Sequence, residues 1–188
     1  QGRAVMRRLG AAYTARSVDF GLAMGADFGR RSRHESLLTD GMTVIGEIDY
    51  LTRHLRGWMR PKRAAADWLF FPARTEVRYQ PLGVVGVIAP WNYLLQLTLA
   101  PAIGAIAAGN RVMIKPSELS PRFAALLREA VAAKFSPTEM SVTGVADDIG
   151  KAFATLPFDH LVFTGSTRVG RLVAEAAGRN LTPVTLEL

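Results

Sequence analysis

The chain has 188 residues, 49% of them hydrophobic, and a net charge of +7, and its length and composition suit one soluble globular domain, or one domain with an appendage. No apolar run approaches the roughly 20 residues that span a bilayer, so we expect no membrane span and a cytoplasmic protein. The absence of cysteine excludes disulfides, thiolate metal sites and cysteine catalysis within these residues, and we predict no metal site.

The first predicted elements are helical. Apolar residues recur at helical spacing through residues 4–28 and 33–60, which predicts two helices separated by a helix stop at Gly29. A connector over residues 62–71 and a short strand over residues 75–79 follow them. The chain has no initiator Met, so we expect it to begin inside a longer protein.

The positive charge is concentrated in the first part of the chain. Residues 1–80 hold 14 Lys and Arg against 8 Asp and Glu, whereas residues 81–188 hold 9 against 8. A basic half can indicate a nucleic-acid or membrane partner, but here acids are interspersed and no aromatic stacking series or nucleic-acid-binding motif accompanies the charge. We therefore interpret it as a solvated helix surface and predict no nucleic-acid partner.

The second part of the chain alternates strands and helices. Apolar strands are predicted over residues 84–89, 111–115, 139–143, 160–164 and 184–188. Helices are predicted over residues 97–108, 122–135, 147–156 and 167–177, the second with Ser120 as its N-cap. This alternation implies right-handed βαβ units, so the predicted fold class is α/β with a doubly wound, Rossmann-like parallel sheet of about five strands. The predicted division is a helical arm with a short β segment over residues 1–80 and an α/β domain over residues 81–188.

Residues able to take part in a reaction follow the first and last of these strands. Asn92 comes after the first strand, and its amide is a neutral donor that can stabilise an oxyanion without titrating. Glu187 ends the fifth strand and is a candidate general base. The plainer interpretations are a turn-forming asparagine and an exposed terminal residue.

Residues able to bind a nucleotide follow two further strands. Lys115 and Glu118 share one turn, where an acid can bind ribose hydroxyls and a cation can accept a 2′-phosphate. Gly165 and Ser166 begin a helix whose free N–H groups can bind a pyrophosphate. A surface ion pair contributing about 0–1 kcal/mol and an ordinary serine N-cap are the plainer interpretations.

The order and spacing of these motifs resemble the aldehyde dehydrogenase family. The matching segments are PLGVVGVIAPWN at 81–92, AAGNRVMIKPSE at 107–118, FTGST at 163–167 and LTPVTLEL at 181–188. Residues 26–38, together with residues 181–188, resemble the class 3, coniferyl-aldehyde-dehydrogenase-like branch of that family.

The resemblance implies oxidation of an aldehyde, of the aromatic coniferyl type, to the carboxylate through a cysteine thioester. NAD is the implied cofactor, with NADP left open by Lys115. Asn92 and Glu187 are the implied catalytic residues, as oxyanion donor and general base. The implied cofactor-binding residues are Trp91, Lys115, Glu118, Gly144, Gly165 and Ser166. The implied partners are a small-molecule aldehyde and, for the full-length protein, further copies in a homodimer or homotetramer.

Two departures from the family pattern limit what we expect of these residues. Leu94 stands where the family usually has proline after Asn-Tyr. The sequence also stops one residue after Glu187, so we expect a chain truncated before the catalytic domain and its nucleophilic cysteine, and inactive alone. The alternatives are a non-catalytic nucleotide-binding module and an inactive fragment, which the coding sequence downstream of Leu188 would distinguish.

Overall fold

The computed structural model describes residues 2–146 and 148–188. The N-terminal part is helical, and it consists of α1 (Gly2–Thr14), α2 (Ser17–Phe28), α3 (Arg33–Glu35), a π-helical segment (Ser36–Gly41) and α4 (Met42–Trp58). Val44, Ile48 and Leu55 are buried along one face of α4, which accounts for the apolar spacing that predicted it. No helix in the part of the chain described is long and apolar enough to cross a membrane.

The single helix predicted over residues 4–28 is wrong, because the chain breaks between α1 and α2. Arg16 leaves the helical conformation, with φ of −127° and ψ of 20°. The break allows Tyr13 and Phe20 to face the same core, where their ring centroids lie 5.8 Å apart. The predicted stop at Gly29 is confirmed, since this residue ends α2 with φ of +78°.

An antiparallel hairpin follows the helices. Strands β1 (Lys62–Ala64) and β2 (Thr75–Val77) pair with each other and enclose a 3₁₀ turn at Trp68–Phe70. The connector predicted over residues 62–71 is therefore wrong in part, because Lys62–Ala64 has no alternation of apolar residues and is a strand only through its pairing with β2. The strand predicted over residues 75–79 is confirmed, although it ends earlier.

Five parallel strands form the main sheet, and they confirm the predicted α/β fold class. They are β3 (Val84–Ile88), β4 (Arg111–Lys115), β5 (Met140–Val142), β6 (His160–Thr164) and β7 (Val184–Glu187). Their spatial order is β5-β4-β3-β6-β7, so the chain runs outward from β3 in one direction and then in the other. The topological switch point, where such sheets bind ligands, therefore lies between β3 and β6.

Helices cover both faces of this sheet, as a doubly wound fold requires. They are α5 (Leu94–Ala107), α6 (Pro121–Ala132), α7 (Ile149–Ala154) and α8 (Thr167–Gly178). One buried core contains side chains of α5, α6 and the N-terminal helices, and a second contains side chains of α7 and α8. Asp147, the first residue of the helix predicted over residues 147–156, lies outside the described residues.

Candidate active site at the carboxyl edge of the sheet

The carboxyl ends of the strands lie level with one another. Ile88 at the end of β3 is in register with Lys115 on one side and with Phe163 on the other, and Thr164 is in register with Glu187. The site residues that the sequence predicts therefore share one edge of the sheet. Adjacent strands are about 4.8 Å apart, so the strands that carry Asn92 and Glu187 are separated by roughly 10 Å, with the end of β6 between them.

The loop between β3 and α5 carries Trp91 and Asn92. Both side chains are exposed, and the Trp91 ring packs against Phe28, with 6.3 Å between ring centroids. The backbone carbonyl oxygen of Asn92 accepts a hydrogen bond of 2.7 Å from Arg31. The loop is therefore fixed through its backbone while the Asn92 amide stays accessible to a ligand.

Lys115 and Glu118 form an ion pair after β4. The Lys115 ammonium donates to Glu118 at 2.5 Å, and Lys115 is only 5% exposed. This hydrogen bond from Lys115 is the main reason that the pKa of Glu118 lies below its usual value. The Glu118 side chain is half-exposed, so its ionised carboxylate can accept hydrogen bonds from ligand hydroxyls.

The turn from β6 into α8 places Gly165, Ser166 and Glu187 side by side. The Gly165 N–H donates to the backbone oxygen of Glu187 at 3.0 Å, and the Thr164 hydroxyl donates to the Glu187 carboxylate at 2.9 Å. Ser166 caps α8 through its hydroxyl, which accepts from the Val169 N–H. A Cβ atom at position 165 would lie 2.6 Å from the Phe163 ring, so only glycine fits this turn without rearrangement.

Gly144 lies apart from these residues, in the loop after the edge strand β5. A Cβ atom at this position would meet Ile149 at 3.7 Å, which is an ordinary contact, so the backbone does not require glycine there. Four strand spacings, about 19 Å, separate β5 from β7. The structure therefore brings Gly165, Ser166 and Glu187 together but leaves Gly144 at the far end of the same edge.

Two aspartates from the N-terminal helices cap the helices that follow β3 and β4. Asp40 accepts from the N–H groups of Leu95 and Gln96, each at 3.0 Å. Asp27 accepts from the N–H groups of Arg122 at 3.2 Å and Phe123 at 2.9 Å. Sequence reasoning missed both caps, because the aspartates lie far from these helices along the chain and no local motif connects them.

The caps correct two predictions about the helices of the sheet. Because Asp40 binds the first turn of α5, that helix begins at Leu94 rather than at residue 97. Ser120 precedes α6 as predicted, but its hydroxyl donates to the Ser117 carbonyl and Asp27 supplies the cap instead.

The caps also determine which helix N-terminus can receive an anion. A buried carboxylate already accepts from the first N–H groups of α5 and of α6, so those groups are not free to bind a second anion. The N-terminus of α8 is capped by the neutral hydroxyl of Ser166 and lies beside the topological switch point. An anionic ligand group at this edge is therefore expected at Gly165 and Ser166.

Replacing Asp27 with alanine is expected to lower the free energy of unfolding by about 1–2 kcal/mol, because two N–H groups of α6 would lose their acceptor. Urea denaturation would measure the change. The matched control is Asp19→Ala, which removes an exposed ion pair with Arg16 and should cost no more than about 0.5 kcal/mol. Equal effects of the two substitutions would contradict the assignment of Asp27 as a cap.

A buried ion pair connects Asp40 to the Asn92 loop. Arg31 donates to Asp40 at 2.7 Å, and the two side chains are only 5% and 0% exposed. Burial raises the pKa of Asp40, and the Gln96 N–H and the Arg31 charge oppose this shift. The predicted site did not include Arg31, because an arginine between two helices has no sequence signal for such a contact.

Two cavities lie away from the carboxyl edge. One of about 930 Å³ lies between the hairpin and the amino ends of the strands, beside Pro81 and Asn110, and one of about 410 Å³ lies among the N-terminal helices. None of the predicted site residues lines either cavity. Within residues 2–146 and 148–188, no cluster of three His, Asp or Glu side chains could hold a metal ion.

Comparison with known proteins identifies one family. A family model described as "Aldehyde dehydrogenase family" matches residues 2–188. A Pseudomonas aeruginosa protein named "Probable coniferyl aldehyde dehydrogenase" is 51% identical over 166 residues, which cover 88% of this chain and 35% of that protein. The chain thus spans about a third of the length of this curated relative.

Solved structures agree with this family. The substrate-bound state of Staphylococcus aureus AldH matches with a TM-score of 0.94 and 34% identity, over 100% of this chain and 41% of that one. A Mycobacterium tuberculosis aldehyde dehydrogenase complexed with NAD⁺ matches with a TM-score of 0.85 and 27% identity, over 100% and 38%. The family resemblance predicted from the sequence motifs is therefore confirmed.

Proposed function

The chain belongs to the aldehyde dehydrogenase family, and from this we propose that the full-length protein oxidises an aldehyde to a carboxylate with a nicotinamide dinucleotide. The observation that carries the proposal is the common edge of the sheet, where Asn92, Gly165 and Glu187 surround the switch point in family order. We further propose an aromatic, coniferyl-type aldehyde as the substrate, because the Pseudomonas aeruginosa relative carries that name at 51% identity.

The cofactor would lie along the carboxyl edge. Its adenosine ribose would bind Lys115 and Glu118, with Trp91 lining the site and Gly144 at its outer end. Its pyrophosphate would bind Gly165 and Ser166, which is supported by the aspartate caps that occupy the N-termini of α5 and α6. NAD is favoured over NADP, because a 2′-phosphate would meet the ionised Glu118.

The residues of this chain would serve a thiolate that comes from outside these 188 residues, since they contain no cysteine. When that thiolate adds to the aldehyde, the Asn92 amide would donate a hydrogen bond to the oxyanion that forms. The bound nicotinamide supplies the hydride acceptor for this chemistry. Glu187 would then take a proton from the water that hydrolyses the thioester, while the Thr164 hydroxyl holds its carboxylate.

The organisation of the full-length protein is part of the same proposal. Residues 1–80 would form the arm, residues 81–188 the nucleotide-binding part, and a homodimer or homotetramer the assembly. The arm also supports the nucleotide-binding part, because Asp27 caps α6 and Asp40 caps α5.

The proposed activity is tested by incubating the full-length protein with NAD and coniferaldehyde and following reduced cofactor by its absorbance. We expect reduction that depends on the aldehyde and yields the corresponding acid. A non-catalytic nucleotide-binding module would bind NAD without any such reduction. Binding without turnover, over a panel of aromatic and aliphatic aldehydes, would therefore reject the enzyme assignment.

Replacing Lys115 or Glu118 with alanine is expected to weaken NAD binding by about tenfold or more, because each change removes a charged partner of the ribose. Glu118→Ala should also reduce the ratio of the affinity for NAD to the affinity for NADP. Calorimetric titration of the full-length protein measures both effects, with Lys151→Ala and Glu175→Ala as controls on exposed helix surfaces. Unchanged affinity in the Lys115 and Glu118 variants would refute the ribose site.

A further inference from the structure

We propose that Arg31 is a positioning residue, which holds the Asn92 loop so that the Asn92 amide points at the reacting aldehyde. This inference rests on the proposed function, because it assigns Arg31 a part in the same reaction. Arg31 belongs to the N-terminal helical region and lies far from Asn92 in sequence. It acts on catalysis through the backbone of Asn92 and does not touch substrate or cofactor.

The geometry joins both ends of one short segment to a single ion pair. One guanidinium nitrogen of Arg31 donates to the Asn92 carbonyl oxygen at 2.7 Å, and another donates to Asp40 at 2.7 Å. The other Asp40 oxygen accepts from the N–H groups of Leu95 and Gln96. Residues 92–96 are therefore held at their start by Arg31 and at their end by Asp40.

The surroundings of the pair make it rigid. The Arg31 guanidinium lies over the Phe28 ring at 5.0 Å from its centroid and 6.0 Å from that of Tyr93. Phe28 in turn packs against Trp91, the neighbour of Asn92. Aromatic rings thus pack beside the guanidinium on the side of the loop, and the Arg31 side chain is only 5% exposed, which strengthens its ion pair with Asp40.

Stability alone does not account for this arrangement. Burying an ion pair costs desolvation free energy, and the attraction between the two charges often does not offset this cost. A buried ion pair is therefore weak evidence for a stabilising role. Among the described residues, the buried Nε of Arg31 also has no hydrogen-bond partner, which adds to that cost. An apolar contact would hold the helices together as well, but it could not bind the Asn92 carbonyl.

Catalysis by Asn92 depends on the orientation that Arg31 provides. An oxyanion donor must lie within hydrogen-bonding distance of the position that the oxyanion takes, and a displacement of about 1 Å can cost roughly 100-fold in rate. The backbone of Asn92 sets the position from which its exposed side chain extends, so a shift of the loop would displace the amide. Lysine cannot replace Arg31 here, because it lacks the planar fork that reaches Asn92 and Asp40 together.

The test is a double-mutant cycle in the full-length enzyme, with Arg31→Met made alone and together with Asn92→Ala. We expect Arg31→Met to lower kcat by about tenfold or more when Asn92 is present and by less than about twofold when it is absent. Arg31→Lys should recover thermal stability while kcat stays low. Equal factors in the two backgrounds, or an unchanged kcat, would overturn the proposal.

The matched control is Arg16→Met. Arg16 also connects the N-terminal helices to the sheet part, through an ion pair with Glu129 at 3.1 Å, but it has no contact with the Asn92 loop. This variant should leave kcat unchanged. A loss of kcat in the Arg16 variant equal to that in the Arg31 variant would show that any loosening of the arm suffices, which would reject a specific role for Arg31.

Amide hydrogen exchange separates failure of this inference from failure of the proposed function. In Arg31→Met, the amides of residues 93–96 should exchange faster than in the unmodified protein, while those of β4 and β6 keep their protection. If the unmodified protein oxidises no aldehyde, the proposed function fails and the exchange result alone decides whether Arg31 holds the loop. Unchanged exchange at residues 93–96 would overturn the positioning role.

Discussion

Replacing Asn92 with alanine is expected to lower kcat of the full-length enzyme by about 100- to 1,000-fold, which is the usual effect of removing one donor from an oxyanion site. The amide is exposed at the carboxyl edge of the sheet, and the Arg31 bond engages its backbone rather than its side chain. The substitution therefore removes the donor and leaves the loop in place. NAD affinity should stay close to that of the unmodified protein.

Stopped-flow measurement of the first turnover gives the rate of hydride transfer directly. Asn180→Ala is the matched control, because Asn180 is also exposed but lies before β7, at the opposite edge of the sheet, where it bonds to Thr155. The control should leave the first turnover unchanged. A first turnover in Asn92→Ala as fast as in the control would remove Asn92 from the reaction.

Much of the sheet could be predicted from the sequence, because its strands are short runs of apolar residues bounded by turn residues. The strands β4 and β6 begin and end where the sequence predicts them, and the topology of the five strands is the predicted one. Burial on both faces favours such uninterrupted apolar runs, so the pattern and the structure have the same physical origin. The predicted helix stop at Gly29 likewise has a local cause, since its φ of +78° is one that glycine adopts without strain.

The contacts between the N-terminal helices and the sheet could not be predicted in this way. Asp27 and Asp40 cap two helices of the sheet domain, and the local sequence offers other N-cap candidates, such as Ser120. Only the tertiary packing determines which side chain reaches the helix N-terminus. The break at Arg16 and the π-helical segment likewise have no periodic signal. Local patterns predict elements, whereas these features depend on side chains that are distant along the chain.

These missed contacts change how the candidate site is understood. The motifs place Asn92 and Gly165 after two strands, and they predict that the helix beginning at Gly165 and Ser166 receives the anionic part of the cofactor. The carboxylates of Asp27 and Asp40 support this prediction, because they occupy the N-termini of α6 and α5. Under the proposed function, the N-terminal helices would contribute to the site through these caps and through the contact of Arg31 with the Asn92 loop.

Replacing Glu187 with glutamine is expected to lower the steady-state rate by about 100-fold or more while the first turnover stays fast. Glutamine has nearly the same shape and can still accept the hydrogen bond from Thr164, but it cannot take a proton from water. Thioester formation should proceed and its hydrolysis should stall. Mixing enzyme with NAD and aldehyde should thus give a burst of reduced cofactor close to one equivalent per active site.

Mass spectrometry of the stalled enzyme should detect the acyl group on the protein. The matched control is Glu175→Gln, an exposed carboxylate of α8 that faces Arg179 and should leave both phases unchanged. An unimpaired steady-state rate would reject Glu187 as the base. Loss of the burst as well would show that Glu187 acts in a step up to thioester formation, since a residue needed only for hydrolysis cannot affect the steps that precede it.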